Sequence, residues 1–73
     1  MKKYFGYGNE YATREEAEAE VHVKNIDTAG MTWNGEMYHD HETGRDYWPI
    51  EEYEANENGE YSCQTEILGY KEI

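Results

Sequence analysis

The spacing of apolar and polar residues changes along this chain and predicts a different element for each stretch. Residues 2–7, KKYFGY, form a short aromatic run ahead of the turn-like GNEY and read as a strand. Thr13 then opens T-R-E-E, a capping box in which the Thr13 hydroxyl takes the Glu16 amide and Glu16 reaches back. Glu15 and Glu16 also suit the positive end of a helix. The Glu-Ala-Glu-Ala composition that follows favours a helix at about residues 14–25. Against this, Ala17, Ala19, Val21 and Val23 alternate with a period of two, which leaves Val21 to Ile26 open to extended structure.

Ala29-Gly30 ends the helical region, and the remainder reads as a meander. Met31, Trp33 and Met37 share a parity, and Asn34-Gly35 marks a tight turn or a bulge. Thr43-Gly44 and Asn58-Gly59 mark further turns, Asn-Gly being the strongest short hairpin signal. In EYSCQTEI, residues 60–67, Tyr61, Cys63, Thr65 and Ile67 fall on one face, which predicts a half-buried strand with a packed thiol. Residues 49–57 carry two signals. Pro49 with Glu51 and Glu52 resembles a helix start, whereas the flanking turns favour a strand, in which Pro49 implies an edge or a bulge. The expected class is α+β: a single domain over residues 1–73, one N-terminal helix packed on an antiparallel meander sheet, in the order β-α-β-β-β.

Composition narrows the partners. A chain of 73 residues buries only about 60% of the surface its unfolded form exposes. Aliphatic residues are scarce, so eight tyrosines and two tryptophans must supply core area, at about 150–250 Å² each. Seventeen acids against six bases give a formal charge of −11. That balance opposes direct contact with nucleic acid or an anionic membrane and favours a basic protein as partner. Cys63 is the lone cysteine, which excludes an internal disulfide and fits a reducing compartment. The two lysines at positions 2 and 3 are followed by no apolar signal-type run, and no stretch approaches the length of a membrane span. A cytoplasmic location is expected, and pairing with a second copy stays open.

The stretch EMYHDHETGRDYWPIEEYE, residues 36–54, holds most of the candidate chemistry. His39 and His41, one residue apart, would project to the same side of a strand about 7 Å from each other, with Glu42 or Asp46 as a further ligand. Nothing in the spacing fixes that third ligand, so no metal and no cofactor are assigned. Tyr38, Asp40, His41, Thr43 and Trp48 also match, in spacing, the second and third strands of the WW domain, which this segment resembles. The resemblance implies a peptide- or protein-interaction module using Trp48, His41 and Tyr38, in which His41 and Trp48 line a groove for a polyproline II ligand. It departs from the family where the groove tyrosine is Met37, where the closing proline is Glu51, and where Trp33 lies too near the hairpin to act as the first-strand tryptophan.

The carboxylates offer a third reading. Asp40, Glu42, Asp46, Glu51, Glu52, Glu54 and Glu57 crowd the middle of the chain, and Arg45 is the only base between Lys24 and Lys71. Self-repulsion on this scale costs stability that a small core can least spare, which suggests a cationic partner. Tyr47 and Tyr53 among the acids would offer ring faces to arginine. The expected partner-binding face is therefore Asp40, Glu42, Asp46, Tyr47, Glu51, Glu52, Tyr53 and Glu54. In composition the chain resembles the small acidic DNA-mimic inhibitors that phages and mobile elements direct at restriction, CRISPR or repair enzymes. That likeness implies an inhibitor occupying the basic nucleic-acid-binding surface of another protein. No residue motif defines the class, so no residue's role is taken from it. Catalysis is not expected: the acids are too numerous to single out a catalytic pair, and Gly6-x-Gly8 is too short for a phosphate loop.

Overall fold

The structure, a computed structural model describing residues 1–73, is organised around one strand. In chain order the elements are β1 (Lys2–Gly6), β2 (Asn9–Tyr11), α1 (Arg14–Glu18), a 3-10 turn (Thr28–Gly30), β3 (Met31–Trp33), β4 (Tyr38–Asp40), β5 (Asp46–Glu54) and β6 (Cys63–Glu72). All strand pairs are antiparallel. β6 follows one edge of β5 from the pair Tyr47–Glu72 to the pair Glu54–Cys63. The other edge of β5 is divided: β4 pairs with Asp46 and Tyr47, and β1 pairs with Glu51 to Glu54. β2 extends β1 and β3 extends β4, giving the path β2-β1-β5-β4-β3 with β6 branching from β5. The Cα trace spans 42 × 21 × 18 Å. The molecule is mostly sheet with one short helix, so the expected β-α-β-β-β order is replaced by β-β-α-β-β-β-β.

The helix is much shorter than its composition suggests. Thr13 caps it as expected, accepting the Glu16 amide, while Glu16 takes the Ala12 amide. It stops at Glu18, and Ala19 is its C-cap. Beyond it the extended reading holds at one point only: Val23 exchanges backbone hydrogen bonds with Tyr70 of β6, and His22 also donates to the Tyr70 carbonyl. A 3.6-residue helix would have pointed Val21 and Val23 apart, whereas here the Val21 amide bonds the Glu18 carbonyl at the end of the helical turn, its side chain packs against the core, and extended pairing is confined to Val23.

Pro49 lies in the central strand of the sheet, not in an edge strand. It is tolerated because it sits at a junction, where the pairing of β4 has stopped at Tyr47 and that of β1 starts at Glu51. The β5–β6 register shifts between Ile50 and Glu51 and again between Glu52 and Tyr53. Those irregularities break the simple alternation along β6. Leu68 and Gly69 are the buried residues there, Ile67 is 41% exposed, and the Cys63 thiol is exposed instead of packed.

The core is small. Tyr4, Ala17, Ile50 and Leu68 form it, with Tyr11 and Val21 packed against it. Ala17, fully buried, lets α1 sit close to β1 and β5. Burial of the Ile50 side chain contributes about 1.5–3 kcal/mol. Between β1 and β2 the two-residue turn Tyr7-Gly8 has positive φ at both positions (51° and 76°), the type I′ geometry that suits strand twist. Tyrosine is an uncommon residue there. Its ring is held edge-on to Trp48 at 5.2 Å and beneath the Lys71 ammonium at 5.3 Å.

Candidate functional site

The eight residues expected to form one acidic face fall into separate places. Glu52 is a core residue, only 3% exposed, and leaves the proposed face altogether. Its carboxylate accepts the Thr65 hydroxyl at 2.7 Å, pairs with Arg14 at 3.2 Å and lies 3.3 Å from the Lys2 ammonium. Thr65 foremost, with Lys2 and the Tyr4 hydroxyl, holds this carboxyl below its ordinary range against the opposing effect of burial. Arg14 also clamps Glu18 and Glu66, so one guanidinium ties α1, β5 and β6 together. Glu54 pairs with the Met1 ammonium.

Asp40, Glu42, Asp46 and Tyr47 lie at the opposite end of β5. Asp40 accepts the Glu42 and Thr43 amides and closes the β4–β5 turn, and those bonds, Glu42 first, keep its carboxyl low. Asp46 binds His39 Nδ1 at 2.8 Å, and His41 is engaged by the Thr32 hydroxyl. The two imidazoles meet edge to face at 5.0 Å. No group of three or more histidine, cysteine, aspartate or glutamate side chains converges to hold a metal ion. The WW-like trio also separates: Tyr38 packs between Trp33 and Tyr70, His41 stays with Thr32, and Trp48 lies against Tyr7.

Glu51 and Tyr53 reach a different environment. They border a cleft of about 610 Å³ between β1, β5 and the β3–β4 turn. Its aromatic walls are Phe5, Trp33, Trp48 and Tyr53, and its carboxylates are Glu10, Glu36 and Glu51. No lysine, arginine or histidine lines it. Phe5 and Tyr53 meet edge to face at 5.4 Å, and the Tyr53 hydroxyl donates to Glu51 at 2.7 Å. That bond, with burial second, pushes the phenol up to about 12. Glu10 pairs with Lys3, whose ammonium also covers the Tyr61 ring. Trp33 is 48% exposed and Glu36 has no cationic partner. Of the cleft's functional groups, sequence reasoning found Glu51 and Tyr53, and took Trp48 only through the WW-like spacing. Phe5, Glu10, Trp33 and Glu36 were missed, because they come from three other segments that only the strand register brings together.

Two further cations are engaged within the fold. Arg45 pairs with Glu72, and Lys71 with Glu20. Comparison of the chain with known protein families, with curated proteins and with solved structures found no match. No helix is long and apolar enough to cross a membrane.

Proposed function

We propose that this protein binds a basic protein and keeps a nucleic-acid-binding surface of that partner occupied, as an acidic inhibitor. The observation that carries this reading is the distribution of ion pairs. Lys2, Lys3, Arg14, Arg45 and Lys71 are all engaged by carboxylates of the same chain, leaving Lys24 as the one unpaired base. Nine carboxylates, Glu36, Glu42 and Glu51 among them, have no cationic partner. The surplus is therefore presented outward, where it attracts a basic surface and repels a phosphate backbone. Eleven net charges over a 42 Å long axis amount to one per about 3.8 Å. Duplex DNA carries one per about 1.7 Å and each of its strands one per about 3.4 Å, so the density matches a single strand more closely.

The test is a captured partner titrated with salt and with oligonucleotides. The complex is expected to weaken about tenfold or more between 50 and 200 mM NaCl, and single-stranded nucleic acid is expected to displace the protein. Reversing Glu36, Glu42 and Glu51 together should abolish binding. A complex that ignores salt and persists under excess nucleic acid overturns the reading. Loss of such a complex on Trp48→Ala would instead identify a peptide-binding module, the reading favoured by a half-exposed Trp33 lining the same cleft as Trp48.

A further inference from the structure

We infer that the cleft bordered by Glu36 and Glu51 takes the guanidinium of an arginine side chain on the basic partner; this rests on the function proposed above and names the contact that anchors it. The volume, about 610 Å³, falls within the range of sites that enclose a small group. Its lining combines two features that serve a cation and little else: two carboxylates, Glu36 and Glu51, with no cationic partner, and aromatic rings whose faces carry negative potential. A phosphate or a carboxylate ligand would meet Glu36 and Glu51, which no base offsets, and be repelled. An uncharged apolar ligand would cover those carboxylates without bonding them, at a cost.

Hydrogen-bonding capacity selects the cation. A carboxylate offers about four acceptor sites. Glu51 has given one to the Tyr53 hydroxyl, and the Glu36 side chain accepts no bond within the protein. Guanidinium brings five N–H donors in a plane, so it can lie on a tryptophan face and bond two carboxylates at its edge together. A lysine ammonium is more strongly hydrated and has no plane to stack. A trimethylated ammonium has no donor at all and would leave Glu36 and Glu51 unbonded. The walls are set before any ligand arrives. Trp48 is fixed edge-on by Tyr7, and Phe5 by Tyr53. Tyr7 holds a φ of 51°, a left-handed conformation that costs about 1–3 kcal/mol and persists only where packing enforces it.

The experiment uses the full chain and three synthetic peptides of equal length and charge, carrying arginine, lysine or trimethyllysine at the same three positions. Binding is read by tryptophan fluorescence at about 150 mM salt, where exposed charge is partly screened. The arginine peptide is expected to bind about tenfold more tightly than either of the others. Glu36→Gln with Glu51→Gln should remove about tenfold of that affinity, and Trp33→Ala a similar amount. Glu57→Gln with Glu60→Gln, which removes the same charge outside the cleft, should change it less than about twofold. Circular dichroism of each variant establishes that it is folded. Equal binding of the arginine and lysine peptides, with both double variants losing the same affinity, overturns the arginine site while leaving charge-driven binding intact. Preference for trimethyllysine overturns the choice of occupant. Failure of all three peptides, with the captured partner still displaced by nucleic acid, overturns the cleft alone.

Discussion

Glu52 holds a charge where the chain has least water to solvate it. Burying a carboxylate costs several kcal/mol unless it is paired and hydrogen-bonded, and here Thr65, Arg14 and Lys2 meet that cost from three elements. Glu52→Gln keeps the shape and removes the charge, and should destabilise the fold by about 1–3 kcal/mol, seen as a lower urea midpoint at unchanged slope. The pH dependence follows from the sign of the shift. The carboxyl titrates below its ordinary 4.5 in the folded chain, so its stabilisation is complete above that value and is lost as pH falls through the lower, folded one. The variant should therefore show a shallower loss of stability in acid than the parent. No local pattern marks Glu52 as different from Glu51 or Glu54. What decides its place is Arg14, 38 positions earlier in the chain, together with a register shift opposite Thr65.

At the level of elements, the close approach of β6 to the segment after α1 is the most exacting packing in the fold. A Cβ on Gly69 would fall 2.3 Å from Val21 Cγ1 and 3.0 Å from the Val23 carbonyl oxygen. Gly69→Ala should cost about 1–3 kcal/mol and open the Val23–Tyr70 pairing. Hydrogen exchange at those two amides, compared with exchange at Ile50, separates local detachment from global loss. Much of this level was legible in the sequence. The cap at Thr13, the turns at Thr43-Gly44 and Asn58-Gly59 and the extended tendency after α1, seen as a single bridge at Val23, all have local causes, and all are present. The length of α1, the central place of Pro49 and the exposure of Cys63 were not legible. They depend on which strand lies opposite, and an interrupted edge or a bulge leaves no mark on alternation.

For the molecule as a whole, net charge governs stability as well as association. Nine carboxylates without a cationic partner repel one another across a thin sheet, and salt screens that repulsion more than it weakens the few exposed pairs. The melting temperature should rise by several degrees between about 20 and 300 mM NaCl, since about 1 kcal/mol is worth about 4–8 °C in a domain of this size. A fall on adding salt would mean that the ion pairs of Arg14, Arg45 and Lys71 outweigh the surplus. The sign and size of the charge were plain from composition. The cleft was not, because Phe5, Glu10, Trp33 and Glu51 are brought together only after β1 and β5 have paired.

The divided edge of β5 also bears on the order in which a newly made chain becomes committed. β1 and β2 are made before the strand that seats them, which lies about fifty residues behind, and β6 comes later still. Until then the hairpin of Tyr4 and Tyr11 has no core to enter, and a two-stranded ribbon by itself is marginal in water. The hairpin thus waits for its partner strand, and the anionic aromatic hollow, lined from β1, β2, the β3–β4 turn and β5, takes shape only once β5 has been made.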